Sequence, residues 1–362
     1  MAVGIAPTAV MCFSSGNGGM ERSAIRLAGI LSQITTTTLL CKQSSFIENL
    51  YRHGEYAFDC EAVRFSSRTF SPAMLLQVRS VINARKFGNV IFFGASELKT
   101  LYFSFLGFDL NLVVWHGTTK SRPKHDLFHR LVYSRVNYHV ALSEHLIRNV
   151  RNIVPPGKNT QYRVIYPSFS IDADASKRAA AAGHATLKLV HIGRVAAGKG
   201  QVDAVQACDS LYRAGIDFEL DLVGPPGDEK YSRQLSSVIE SVPYSKNIHL
   251  LGFVENPASY LEQADILLFP SHGEGMPNAF IEALHYGIPC LTYSNTVFPE
   301  YREMGFEVHL VEDRDTDQLS AELLAIAENL ASEKTAAAKN RELAVGYFNV
   351  SRELDSWRTI LV

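Results

Sequence analysis

The sequence predicts an α/β protein built from two doubly wound parallel-sheet domains, and three observations predict it. Short runs rich in Val, Ile, Leu and Phe recur without polar alternation, the pattern of strands covered on both faces. Stretches of helical spacing or loop composition separate them, as the crossovers between parallel strands require. The whole series occurs twice, on either side of a break between Tyr166 and Thr186, and a length of 362 residues accommodates two domains with full cores.

In the first series the strands are expected at Thr8 to Phe13, Thr36 to Cys41, Asn89 to Phe93, Leu110 to Trp115 and Tyr138 to Leu142. In the second they are expected at Lys188 to Ile192, Phe218 to Val223, Asn247 to Leu251, Asp265 to Phe269, Pro289 to Tyr293 and Glu307 to Val311. The break itself, SFSIDADASKRAAAAGHA, has no strand-like run. Ala-rich sequence from Leu319 to Gly346 reads as helix, and Leu354, Trp357, Ile360 and Leu361 recur at helical spacing in the tail. The domain boundaries that follow are 1–168 and 186–349, with residues 350–362 as a terminal helix expected to pack back on the N-terminal domain.

Composition narrows the function. Hydrophobic residues make up 46% and charged residues 20%, ordinary for a folded chain and unlike a disordered one. The longest near-continuous apolar stretches, Leu101 to Phe108 and Leu110 to Trp115, are split by Asp109 and are too short to span a bilayer. The N-terminus is apolar but carries no leading Lys or Arg, and reads as a buried strand rather than a leader. Five dispersed cysteines without a CxxC pair signal neither a disulfide framework nor a zinc site, and a cytoplasmic protein is expected. The net charge of -2 hides an asymmetry: residues 1–168 carry 19 Lys and Arg against 9 Asp and Glu, and the remainder is correspondingly acidic. A basic half suits an anionic partner.

Ligands of open α/β sheets bind beyond the carboxyl ends of the strands, so those loops hold the candidate residues. After the first strand, Ser14-Ser15-Gly16-Asn17-Gly18-Gly19 leads into a helix with Ile25, Ala28 and Leu31 on one face. Glycines and a helix N-terminus together make an anion cradle, although a tight turn with no ligand also uses glycine. After Leu189-Val190-His191-Ile192 comes Gly193-Arg194-Val195-Ala196-Ala197-Gly198-Lys199-Gly200. Its two cations suit a diphosphate, the Arg as a fork and the Lys as a point charge. The string is not a P-loop, because Gly200 stands where the magnesium-binding hydroxyl is needed. A third loop follows Ile266 to Phe269 and contains Glu274, Gly275, Met276, Pro277 and Asn278, with Pro277 at the first helical position, Glu282 inside the helix and Gly287 at its end. Its two carboxylates can reach two ends of an extended ligand while N–H groups near Met276, Pro277 and Asn278 face the middle.

The stretch from HIGR through GKG, LVG and GFVENPASYLEQADILLFPSHGEGMPNAFIEALHYGIPCLTYS resembles the C-terminal domain of the retaining glycosyltransferases of family 4, glycosyl transferases group 1. Their Glu-x7-Glu signature stands here as Glu274 and Glu282. GNGGMER, ALSEHL (Ala141 to Leu146) and VIYP (Val164 to Pro167) resemble N-domain landmarks of the same family, so the likeness touches nearly the whole chain and is strongest from Lys188 to Ser294. One loop departs: the family's Gly-Gly-x-Pro-Glu run is reduced here to Pro299-Glu300.

The resemblance implies a GT-B fold, two Rossmann-like domains facing a central cleft, and a donor that is a nucleotide diphosphate sugar. It implies that Arg194 and Lys199 hold the diphosphate, that Glu282 accepts from the ribose hydroxyls and that Glu274 contacts the donor sugar. Gly275, Met276, Pro277 and Asn278 belong to the same donor contact. Gly16, Gly18 and Gly19 would close over the phosphates from the opposite domain, and the base would lie against Phe253 and Val254. His116, at the end of a strand, matches a histidine that the family places near the reacting sugar. Arg194, Lys199, Glu274 and His116 are therefore the expected catalytic set. No cofactor and no metal is expected, since Asp172-Ala173-Asp174 and Asp313-Arg314-Asp315 read as solvated, and nucleic acid is not expected as a partner.

The expected function is retaining transfer of a sugar to a glycan or glycolipid acceptor hydroxyl, in lipopolysaccharide, O-antigen or other cell-surface glycan synthesis. A nucleotide-sugar epimerase or hydrolase of the same fold, and an inactive nucleotide-sugar-binding protein, are the alternatives. Lys120, Arg122, Lys124, Arg130 and Arg135, interleaved with Leu127, Phe128, Leu131, Val132 and Tyr133, suggest peripheral docking of the N-terminal domain on an anionic membrane. The competing expectation is an ordinary helix with a core face and a soluble acceptor.

Overall fold

Every described strand pairs in parallel with its neighbours, in a computed structural model that describes residues 4–66, 71–94, 97–169 and 186–362. The chain divides into two units, Met1–Pro167 with Val350–Val362, and Ser168–Asn349. Each is a doubly wound α/β layer structure. Most of the expected interdomain break, including Asp172 and Asp174, lies outside the described residues.

In the N-terminal unit the strands are β1 (Thr8–Cys12), β2 (Thr37–Lys42), β3 (Asp59–Val63), β4 (Asn89–Phe93), β5 (Asn111–His116), β6 (Tyr138–Ala141) and β7 (Gln161–Val164). Their order is β3-β2-β1-β4-β5-β6-β7. Successive strands first step outward from β1 to one side; β4 then returns to its other side, so the order reverses between β1 and β4. β1 and β4 are buried at every position, because helices cover both faces. Two strands differ from the sequence expectation by existing at all. β3 reads DCEAV and β7 reads QYRV; both are edge strands with exposed positions, so neither needs an apolar run. Arg85 secures the β3 edge through Asp59 at 2.5 Å and Glu61 at 2.8 Å.

The terminal helix Val350–Arg358 belongs to this unit. Leu354, Trp357, Ile360 and Leu361 are buried, and the Arg26 guanidinium grips the buried Glu353 carboxylate in a two-pronged contact at 2.6 and 3.0 Å. Asn89 and Asn111, at the starts of β4 and β5, donate to the carbonyls of Val362 and Ile360. These bonds lie at the amino ends of the strands and leave the carboxyl ends to function.

The C-terminal unit contains β8 (Leu187–Ile192), β9 (Phe218–Val223), β10 (Ile248–Gly252), β11 (Ile266–Leu268), β12 (Cys290–Tyr293) and β13 (His309–Val311), in the order β10-β9-β8-β11-β12-β13. Its reversal lies between β8 and β11. Leu189, Leu220, Leu222, Ile266, Leu268 and Leu291 form the sheet side of one core, against Val205, Leu211, Leu319 and Leu323 from the covering helices. The Ala-rich stretch forms three helices, Thr316–Glu328, Leu330–Ala337 and Asn340–Tyr347.

Candidate functional site

The reversal of strand order brings the loops after β8 and β11 side by side, at the place where doubly wound sheets open a crevice for ligands. Contacts between the loops are direct. Lys199 Nζ lies 2.5 Å from Glu274 Oε1, and the buried Ser271 hydroxyl lies 2.8 Å from the same oxygen and 2.9 Å from the Gly198 carbonyl. The His272 N–H also donates to the Gly198 carbonyl, and the Glu274 N–H donates to Thr296 Oγ1 at 3.1 Å.

Glycines make this approach possible. Gly200 has φ +70°, and a Cβ there would stand 1.8 Å from the Pro270 carbonyl oxygen. A hydroxyl-bearing residue cannot occupy that position without moving the β11 loop, which gives the departure from a P-loop a steric cause. Gly224, at φ +151°, likewise lets the β9 end approach the Gly193 carbonyl. Gly227 accommodates the Arg194 stem, whose Cγ and Cδ would lie 2.7 Å from a Cβ. Arg194 is exposed, and among the described residues its guanidinium meets no carboxylate. Lys199 is held from behind: its carbonyl accepts from His191 Nε2 at 2.7 Å. Burial pushes the His191 pKa down to about 4, so the ring is neutral and donates from Nε2.

Glu274 and Glu282 differ in environment. Glu274 is engaged by Lys199 and Ser271. Glu282, on the helix Asn278–Tyr286, has no hydrogen-bond or ion-pair partner among the described residues, and burial raises its pKa to about 7. A half-buried carboxyl with no partner among the described residues suits an incoming ligand that brings its own hydroxyls. Pro277 is the N-cap of this helix, one position earlier than expected, and Gly287 ends it at φ +63°. Met276 is buried and accepts from the Tyr301 hydroxyl, whereas Asn278 is exposed. Phe253 follows β10 and is 69% exposed, with Val254 half-buried beside it. Asp313 accepts from Asn295 and Asp315 caps the helix Thr316–Glu328, so both have local structural partners.

The sequence reading missed the supports of the site: Ser271, Thr296, His191, Gln201 and Gly227. Gln201 is buried and donates to the Arg194 carbonyl at 3.0 Å. Only the Gly-Pro-Pro-Gly run at 224–227 signalled any of them.

In the N-terminal unit the glycine loop is partly filled by its own chain. The Gly18 N–H donates to Glu21 Oε2 at 2.9 Å, the Gly16 N–H donates to Ser14 Oγ at 3.1 Å, and a Cβ on Gly16 would stand 3.0 Å from Glu21 Oε1. The buried Glu21 thus occupies part of the cradle expected to receive an anion, while Gly19 has open space around its α-carbon. His116 is 1% exposed, and both ring nitrogens are engaged, Nε2 with His139 Nδ1 at 2.9 Å and Nδ1 with Lys120 Nζ at 3.2 Å. An ammonium only donates, so His116 Nδ1 accepts and Nε2 carries the proton. Burial, reinforced by Lys120, holds the His116 pKa well below the usual range. His116 therefore supports Lys120 instead of presenting a free nitrogen.

Residues 172–342 match the family described as glycosyl transferases group 1. The amylovoran biosynthesis glycosyltransferase AmsK of Erwinia amylovora is 31% identical over 156 residues, 41% of this chain and 38% of that one. The putative colanic acid biosynthesis glycosyltransferase WcaL of Salmonella typhimurium is 30% identical over 147 residues, 38% of this chain and 35% of that one. The matched stretch thus spans little more than a third of either relative. Among solved structures, Anabaena HepE in complex with UDP and glucose covers 98% of this chain and 99% of its own, with a TM-score of 0.79 at 17% identity.

Proposed function

We propose, from the match of residues 172–342 to the glycosyl transferases group 1 family, that the protein transfers a sugar from a nucleoside diphosphate sugar to an acceptor hydroxyl, with retention, in bacterial cell-surface polysaccharide synthesis. The observation that carries the reading is the joined pair of loops at the β8–β11 reversal, where Lys199 meets Glu274 and Arg194 stands exposed in the same loop.

The diphosphate takes Arg194 as a fork and Lys199 as a point charge, and the N–H groups opening the helix Asn278–Tyr286, with Gly275 and Met276 before it, add positive potential. Binding draws Lys199 from Glu274, freeing that carboxylate for the sugar hydroxyls. Glu282 receives the ribose hydroxyls, and the base rests on Phe253 and Val254. The acceptor hydroxyl attacks C1 on the face from which the C1–O bond breaks. Its proton passes to the departing phosphate oxygen, and the nucleoside diphosphate leaves with its charge on Arg194 and Lys199. These cations carry the leaving-group charge without a metal ion.

The N-terminal unit takes the acceptor and docks peripherally on the cytoplasmic face of an anionic membrane. The helix Leu127–Tyr133 buries Val132 and Tyr133 but leaves Leu127 83%, Phe128 41% and Leu131 47% exposed, with Arg122 and Arg130 exposed nearby. An apolar face with flanking cations fits the headgroup region of an anionic bilayer. No described helix is long and apolar enough to cross a membrane. Nucleotide release from a panel of nucleoside diphosphate sugars, measured with and without glycan acceptors, tests the reaction; acceptor-independent release favours a hydrolase.

A further inference from the structure

The basic segment after β5 divides into an outer group beside the exposed helix face and an inner group that no membrane contact explains. The inner group is Lys120 and Lys124, joined by Lys99 from the first turn of the helix Leu98–Ser104 after β4. Because β4 and β5 are parallel neighbours with Phe93 opposite Trp115, their following loops emerge together at the carboxyl edge of the sheet. All three lysines are half-buried, and among the described residues none meets a carboxylate.

Their other contacts hold them in place without neutralising them. Lys120 Nζ donates to His116, Lys124 Nζ lies 3.4 Å from the Tyr133 hydroxyl, and Lys99 Nζ stands 5.6 Å from the Phe128 ring centre. Lys120 also has its backbone gripped at both groups by Asn149, each bond 2.9 Å, and the Lys124 N–H donates to the Ile153 carbonyl. The helix Glu144–Ile153 therefore pins the loop at both cations. Asp126, two residues after Lys124, is otherwise occupied: it caps the next helix and contacts His129.

The lysines act on one another. Burial first and Lys124 second pull the Lys120 pKa down to about 8, and burial first and Lys99 second lower Lys124. With no carboxylate partner among the described residues, the charge of Lys124 raises the energy of the Lys120 ammonium and that of Lys99 the energy of Lys124, and a bound anion relieves it.

We propose that Lys99, Lys120 and Lys124 form a phosphate-binding site in the N-terminal unit, and that its ligand is a phosphate ester or diphosphate group carried by the acceptor. Compact ammonium groups suit a phosphate as point charges. His116 and His139 are positioning residues, since their neutral, hydrogen-bonded rings orient Lys120 from the buried side. The proposal rests on the glycosyltransferase reading only in naming the acceptor as carrier of the phosphate.

The test is residue-resolved acetylation of the folded protein, read by peptide mass spectrometry with and without inorganic pyrophosphate. It uses the Arg194→Ala/Lys199→Ala variant, in which the diphosphate site of the other unit is disabled. Pyrophosphate should slow labelling of Lys99, Lys120 and Lys124 severalfold and leave exposed Lys86 and Lys246 unchanged. Rates unchanged by pyrophosphate at Lys99, Lys120 and Lys124 overturn the site. Protection by phosphatidylglycerol vesicles but not by pyrophosphate also overturns it, in favour of a bilayer surface. In the chain with Arg194 and Lys199 intact, Lys99→Gln with Lys124→Gln should raise KM about tenfold for a phosphorylated acceptor and leave KM for the nucleotide sugar unchanged; a rise for the nucleotide sugar alone overturns the assignment. Protection by pyrophosphate in a protein that transfers no sugar upholds the site and overturns only the enzymatic reading.

Discussion

Lys199 Nζ and Glu274 Oε1, 75 residues apart in the chain, lie 2.5 Å from each other and tie the loop after β8 to the loop after β11. The cation expected on the diphosphate and the carboxylate expected on the sugar neutralise each other. A diphosphate must compete with Glu274 for Lys199. Glu274→Gln should therefore leave affinity for nucleoside diphosphate equal or several-fold tighter while lowering turnover at least tenfold. Lys199→Ala should weaken the same nucleotide by roughly 1.5 to 3 kcal/mol, the range for a charge-assisted hydrogen bond. Calorimetric titration and steady-state rates separate the two effects; weaker nucleotide binding in Glu274→Gln contradicts the competition.

Glu282 predicts a pH dependence with a definite sign. Burial raises its pKa from the model-compound value of 4.5 to about 7, so between these values the folded state holds a proton that the unfolded state has lost. Stability contributed at low pH is lost as pH rises through that window. Glu282→Gln should gain on the parent protein by roughly 1 to 3 kcal/mol from pH 4.5 to pH 8, read as a growing difference in melting temperature. A pH-independent difference would contradict the raised Glu282 pKa.

Gly200 and Gly198 make an internal control. A Cβ at Gly200 collides with the Pro270 carbonyl at 1.8 Å in a backbone of φ +70°, whereas a Cβ at Gly198 meets nothing within 4 Å. Gly200→Ala should cost on the order of 2 to 4 kcal/mol of stability or displace the loop, with loss of nucleotide binding. Gly198→Ala should be within about 0.5 kcal/mol of the parent. Chemical denaturation checks both.

The exposed face of the helix Leu127–Tyr133 predicts sedimentation with anionic vesicles at low salt, reduced at high salt and absent with neutral vesicles. Leu127→Asp with Leu131→Asp should abolish it without unfolding the chain, since both side chains are exposed. Recovery of the unchanged protein in the supernatant at low salt would refute docking.

What was legible in the sequence followed from burial. β1, β4 and β11 are buried at every position and had to be written as apolar runs, whereas β3 and β7 sit at an edge and carry polar residues that any loop could carry. Arg194, Lys199 and Glu274 stood out because a loop after a strand has few reasons to hold cations or a glutamate between glycines, and Glu282 stood out by its spacing from Glu274. Their supports were not: Ser271 and Thr296 act through single hydroxyls brought together by pairing of distant strands, and spacing along the chain carries no record of that pairing. His116 was found by its position at a strand end, but its burial against His139 depends on the β5–β6 pairing, and only the fold reveals that it faces a second histidine and a lysine.

The central claim is sugar transfer from a nucleoside diphosphate donor, and the most direct measurement is proton NMR of the reaction with an α-linked nucleoside diphosphate sugar and a hydroxyl acceptor. The account predicts nucleoside diphosphate and an α-linked product appearing together at equal rates, in the presence of a metal chelator, and both lost in Arg194→Ala. Release of nucleoside diphosphate without glycoside formation, or a β-linked product, would contradict it.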